Sequence, residues 1–187
     1  MWLCNSNRPF YYLIGFAMLT SLNTTYYYIS DYIAFKIYMF DDNWTFIASK
    51  SYNSPLYMIT VDSNLYISSD TNVYKTDEIL NLVSQYNASG LVYYRGLYLD
   101  SSRGVIYIVA NHLGVIQIFD LNLLMNDSIS IPYPYIAYSI TGYNNQIYVG
   151  TESGTILVLV NKIITSTFNA CNRYGLVIAS IVFDQYG

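Results

Sequence analysis

Apolar residues in this chain come in short runs, and polar clusters rich in Asn, Asp, Ser and Gly separate them. Residues 105–110 read VIYIVA, 115–119 VIQIF, 146–150 QIYVG and 155–160 TILVLV. Each run has the length of a strand and is rich in β-branched and aromatic residues. A strand with one face in water alternates apolar and polar positions; these runs are nearly continuous, so both faces are expected to be covered. No stretch sustains helical periodicity. Residues 77–86 come nearest and are short.

The runs repeat. A Tyr followed by a β-branched residue recurs at Tyr28-Ile29, Tyr66-Ile67, Tyr107-Ile108 and Tyr148-Val149. An Asp or Asn follows each pair, at Asp41, Asp77, Asp120 and Asn161. A third landmark precedes the pairs or their expected sites: residues 58–62, 96–100, 138–142 and 180–184. One order of landmarks at a period near forty residues marks a repeat architecture. Within a period there are four strand-like runs. In the third they are 96–100, 105–110, 115–119 and 128–133. Four strands per forty residues, each sheet covered on both faces, predicts an all-β chain of β-propeller blades.

The pattern resembles the NHL-type repeats of six-bladed propellers, most closely over residues 138–160 (YSITGYNNQIYVGTESGTILVLV) and next over 105–120. The Tyr- and Asn-rich style is also similar to expanded families of extracellular invertebrate propeller proteins. Blades are expected at 14–51, 57–87, 95–133 and 137–169, with residues 176–184 as the inner strand of a fifth. Six blades, as the resemblance implies, need about two more periods, so the chain is expected to be part of a longer protein. An open ring exposes an apolar blade face and sheet edges, which predicts self-association.

Composition narrows the function. Eight Lys and Arg against twelve Asp and Glu give a net charge of −4. Without a basic stripe to replace phosphate counterions, a nucleic-acid partner is not expected. No apolar run reaches the length of a membrane-spanning helix. Residues 9–19 (PFYYLIGFAML) have the length of a signal-peptide core, and the repeat assigns the same residues to an inner strand. Cys4 and Cys171 are too few for a disulfide framework; they read as small buried residues or one long-range bridge. Sequons stand at Asn23, Asn43, Asn87 and Asn126. With 17 Asn and 31 Ser or Thr in the chain, about three arise by chance, so they permit secretion without requiring it. Location outside the cell or at its surface is the expectation, with a cytoplasmic location as the alternative.

In NHL-type propellers ligands usually meet the face that carries the turns between second and third strands. The resemblance therefore points to Asp31, Asp70, Asn111, His112 and Glu152, a shallow ring of acidic and amide groups suited to a cation or a basic peptide. The competing reading is that Asp and Asn suit tight turns, because their side chains bond nearby backbone. Joint alanine substitution of Asp31, Asp70 and Glu152 separates the two. His112 is the only histidine and has neither a nucleophile nor a second metal ligand near it in sequence, so it reads as a solvated turn residue. Asp41-Asp42-Asn43, Asp62-Ser63-Asn64 and Asp70-Thr71-Asn72 resemble fragments of calcium loops without the distal Glu; weak shared calcium binding is the most they imply.

No cofactor is expected. Most of the 23 tyrosines are assigned to cross-strand packing, and runs such as Tyr26-Tyr27-Tyr28 must turn some rings outward, where Tyr serves protein or glycan contact. The expected role is a non-catalytic scaffold that recognises a protein, peptide or glycan through loops. The alternatives are a metal-dependent, lactonase-type hydrolase of propeller fold, and a nonfunctional fragment.

Overall fold

The computed structural model describes residues 10–21, 24–170, 178, 180 and 181. The runs fold as sixteen strands in four sheets. The first sheet is β1 (Leu13–Ser21), β2 (Thr24–Asp31), β3 (Lys36–Phe40) and β4 (Phe46–Ser51). The second is β5 (Met58–Val61), β6 (Asn64–Ser68), β7 (Asn72–Asp77) and β8 (Leu82–Asn87). The third is β9 (Tyr94–Asp100), β10 (Val105–Ala110), β11 (Val115–Asp120) and β12 (Met125–Ser130). The fourth is β13 (Ala137–Tyr143), β14 (Gln146–Thr151), β15 (Thr155–Val160) and β16 (Ile163–Asn169). Every sheet is an antiparallel meander in chain order. The chain is an all-β propeller fold of four-stranded blades.

The sequence expectation placed the last strand of the third blade at 128–133. It lies earlier, at Met125–Ser130, because the prolines at 132 and 134 supply no amide donor for a ladder. Residues 13–19 of the candidate signal-peptide core belong to β1, paired with β2 from Ser21↔Thr24 to Leu13↔Asp31. Of the expected fifth inner strand only residues 178, 180 and 181 are described; the rest, like Cys4, Cys171 and Asn23, lies outside the described residues.

The chain divides into two compact units, residues 1–87 and 88–187. In the first, blades 1 and 2 share a core of Ala17, Leu19, Tyr28, Ile37 and Met39 against Met58, Leu65, Ile67, Tyr74 and Leu80. In the second, blades 3 and 4 share Tyr107, Val109, Ile116, Ile118 and Ile129 against Ile140, Ile147, Val149, Leu157 and Leu159. The Tyr-β pair thus divides its two residues between the faces of its sheet. Tyr28 and Tyr107 face the following blade, and Ile67 and Val149 face the preceding one. Alternation along a strand requires this split.

Close approach of the inner strands explains two glycines. A Cβ on Gly15 would lie 2.1 Å from the Leu56 carbonyl oxygen, and one on Gly96 would lie 2.9 Å from the Ile140 nitrogen and Ser139 Cα. The Ser30 hydroxyl accepts from the Gly15 amide at 2.8 Å and donates to the Leu56 carbonyl at 2.6 Å, which ties blade 1 to blade 2.

The repeating Asp closes the turn between third and fourth strands. Oδ1 of Asp41, Asp77 and Asp120 each accepts two backbone amides: Asn43 and Thr45, Ile79 and Asn81, Asn122 and Leu124. These turns put Trp44, Leu80 and Leu123 at φ of 59°, 66° and 64°. Leu80 and Leu123 are buried there. Blade 4 has Asn161 and Lys162 instead, both at positive φ, in a tighter hairpin.

Candidate functional site

The turns between second and third strands lie at one end of each sheet, beside the connections that lead into the next blade. The segment before each inner strand crosses the end of the second strand. Amides of Tyr32, Asn111, His112 and Glu152 donate to carbonyls of Tyr12, Tyr93, Val92 and Ile136, at 3.0, 3.2, 3.0 and 2.9 Å. These bonds hold the turn residues against rigid backbone.

Counting from the Tyr-β pairs shows which turn residues are equivalent. Four places after Tyr28, Tyr66, Tyr107 and Tyr148 stand Tyr32, Asp70, Asn111 and Glu152. Asp31 falls one place earlier, with Ser69, Ala110 and Thr151. The equivalent four bond in neighbouring pairs within each unit. In the first unit the Tyr32 hydroxyl donates to Asp70 Oδ2 at 2.8 Å. In the second, Asn111 Nδ2 donates to Glu152 Oε1 at 3.2 Å and to the Ala137 carbonyl at 2.8 Å. Tyr32 was missed in sequence because chemical type, acid or amide, guided the choice. The register count was the available signal.

Asp31 is fully buried. Its carboxylate accepts the amides of Tyr11, Tyr12 and Ala34 at 2.7, 3.1 and 3.0 Å. It pins the strand entry and the β2–β3 turn, and it helps hold the Tyr38 hydroxyl above its ordinary range, after the larger effect of that ring's own burial. Ser69 and Thr151 do the same work at the equivalent position: Ser69 Oγ accepts from Asn72 N at 2.9 Å, and Thr151 Oγ1 from Thr155 N at 3.2 Å. Asp70 is buried beside Tyr32, while Glu152 is half-buried. His112 is exposed on a single 3-10 turn, Asn111–Leu113, closed by Gly114 at φ 63°. Its ring meets Tyr93 edge-on at 6.0 Å.

The side chains this end offers to solvent are largely apolar. In the first unit Tyr11, Tyr12, Ile33 and Phe35 are each about half exposed or more. In the second, Leu91, Leu113 and Ile136 are exposed and Tyr133 is 95% exposed. Among the calcium-like pieces, Asp41 and Asp70 are engaged as described, and Asp62 is in a β5–β6 turn at φ 52°. Among the described residues no three of His, Cys, Asp or Glu stand close enough to share a metal ion. Three sequon asparagines, Asn43, Asn87 and Asn126, are exposed.

No family model matches the chain, and no curated protein matches it. Solved structures do. The WD40 domain of Neurospora crassa Pan2 superposes with a TM-score of 0.71 at 11% identity, over 88% of this chain and 53% of that one. A streptogramin B lyase superposes at 0.66 with 12% identity, over 84% and 56%. Virginiamycin B lyase from Staphylococcus aureus superposes at 0.64 with 13% identity, over 77% and 52%. The chain spans about half the length of these proteins. At such identities the likeness defines the β-propeller fold and no narrower repeat type.

Proposed function

We propose that this chain is a non-catalytic recognition scaffold that binds a protein or peptide at the ends carrying its β2–β3-type turns. The observation that carries this reading is the exposed set Tyr12, Ile33 and Phe35 in one unit, and Leu113, Tyr133 and Ile136 in the other, on turns fixed by side-chain and backbone hydrogen bonds. Rigid loops lose little entropy on binding, and buried aromatic anchors such as Tyr are enriched among the residues that carry interface energy, with apolar neighbours excluding water around them. The acidic and amide groups of the expected ring are engaged with one another or with backbone, so they shape the loops and leave contact to their apolar neighbours. No cofactor enters this reading. The NHL repeat type, and a place outside the cell, belong to the same proposal; the exposed sequons Asn43, Asn87 and Asn126 permit the latter.

The test is a random-peptide display library panned on the immobilised chain, beside a glycan array. Peptides rich in apolar residues are expected to enrich. Their affinity should fall about tenfold or more, roughly 1.4 kcal/mol, in Phe35→Ser or Leu113→Ser. No enrichment, or binding indifferent to both substitutions, overturns the proposal. Enrichment of glycans alone also overturns it.

A further inference from the structure

Three Asn-x-Ser/Thr acceptors fall among the described residues, each in the same part of its blade. Asn43 lies in the β3–β4 turn, Asn126 is the second residue of β12, and Asn87 is the last residue of β8. All three belong to the outermost strand of a blade or to the turn that leads into it. Each asparagine is exposed, and so is the hydroxyl residue two places on, Thr45, Ser89 or Ser128. The half-buried asparagines, Asn64, Asn72 and Asn111, stand in no such triplet.

Local geometry suits a substituent on each nitrogen. The β11–β12 register steps from Ile118↔Asp127 to Phe119↔Met125. Asn126 is therefore a bulge residue with no partner across the ladder, and a bulge re-aims its side chain. Ile47, Val83 and Thr165 are the corresponding bulges of the other blades. Asn43 Nδ2 donates to Asp42 Oδ1 at 3.0 Å; a substituted amide keeps one N–H, so that bond survives. Asn87 closes its strand and runs into the exposed residues Ser89 and Gly90.

The outermost strands also have use for cover. Among the described residues β4, β8 and β12 each have a strand neighbour on one side only. A free edge of this kind pairs with other chains unless charge, a bulge or bulk prevents it. β8 reads LVSQYN and carries no charge. Its Leu82 and Val83 are 52% and 56% exposed, and Leu124 and Met125, beside Asn126, are 64% and 48% exposed. A glycan is bulky and solubilising, and it meets both needs.

From this we propose that Asn43, Asn87 and Asn126 carry N-linked glycans, which shield the outer edges of blades 1 to 3. Both statements rest on the location outside the cell proposed above. The co-reactant is an oligosaccharide joined through pyrophosphate to a lipid. A bond forms between Asn Nδ2 and the sugar C1, and the bond from C1 to the pyrophosphate oxygen breaks. The amide gives up one proton, and the lipid pyrophosphate leaves with the electron pair. Asn43 and Asn126 lie at the end of their blades opposite the β2–β3-type turns, so their glycans leave the proposed contact end open.

Two preparations test this: the chain isolated from its own cells, and the chain driven through a eukaryotic secretory pathway by an added leader. Each is treated with peptide N-glycosidase and mapped by mass spectrometry. The expected result in both is conversion of Asn to Asp at positions 43, 87 and 126. Thr45→Ala, Ser89→Ala and Ser128→Ala should each remove one glycan with the asparagine still in place. Glycans absent from both preparations, or present at fewer than two of the three sites in both, overturn the proposal and leave the location standing. Glycans on the leader-driven chain alone overturn the location, and the proposal with it. Shielding is read by sedimentation velocity at equal concentration: the weight-average mass of the polypeptide should rise about twofold or more after enzymatic deglycosylation, with an unchanged circular-dichroism spectrum. A deglycosylated chain that stays as dispersed as the glycosylated one overturns the shielding.

Discussion

Replacing Asp31 with Ala distinguishes a ligand-binding carboxylate from a structural pin. The Asp31 side chain is fully buried and accepts three amides at 2.7, 3.1 and 3.0 Å. Hydrogen bonds to a charged acceptor contribute about 1.5–3 kcal/mol each, which gives about 4–9 kcal/mol gross. Two terms reduce the sum. Tyr11 and Tyr12 are 65% and 56% exposed, so water can reach their amides once the carboxylate is gone. Removing a buried charge also recovers part of its desolvation cost. The net loss should be about 3 kcal/mol. Thermal unfolding followed by circular dichroism should show Tm lower by roughly 6–12 °C for a chain of this size. Asp31→Asn keeps one acceptor oxygen and should lose about half as much. The reasoning is refuted if Asp31→Ala costs less than about 1 kcal/mol or if it abolishes peptide binding while Tm stays unchanged.

Two further outcomes follow from burial and backbone geometry. Leu80→Gly relieves a positive φ of 66°, worth about 1–2 kcal/mol, but empties a fully buried core position at about 3–5 kcal/mol; urea titration should show a net loss near 2–3 kcal/mol, and a more stable variant would show that strain outweighs packing. At high pH, burial and, to a lesser extent, Asp77 push the Tyr52 hydroxyl up to about 12, and burial pushes Tyr28 higher still. Both hydroxyls donate to carbonyls, of Leu80 and Glu78. Their folded-state values stand above the unfolded one, so their contribution is complete below pH 10 and is lost as pH rises through 10 to 12. Denaturation midpoints should hold steady below that window and fall within it; a midpoint unchanged at pH 12 contradicts the assignment.

The fold was legible because a blade repeats two independent signals. Continuous apolar runs such as residues 105–110 report strands covered on both faces, and β10 has five of its six residues buried. The Tyr-β pair reports register, because alternate residues must face opposite blades. The recurring Asp was visible as a landmark, but its work was not: it caps a turn that forces Leu80 and Leu123 to positive φ while burying them. No propensity rule anticipates bulky leucines there; for Leu80 the strain is offset by the core that blade 2 shares with blade 1.

The site was less legible for a related physical reason. A short turn must satisfy its own backbone amides before it can offer anything to a ligand, and Asp, Asn, Ser and Thr are the residues that do so. Asp31, Ser69 and Thr151 are consumed in that way, so acidic character near a turn carries little information about binding. What remains free to meet a partner is whatever else in the turn points outward: Ile33 and Phe35 after Asp31 in blade 1, and Leu113 in the β10–β11 turn of blade 3. In a repeat protein the useful comparison is therefore between equivalent positions, counted from a buried landmark. By that count Tyr32 joins Asp70, Asn111 and Glu152, and within each unit one bonded pair, Tyr32–Asp70 or Asn111–Glu152, links the turns beside which the exposed apolar side chains stand.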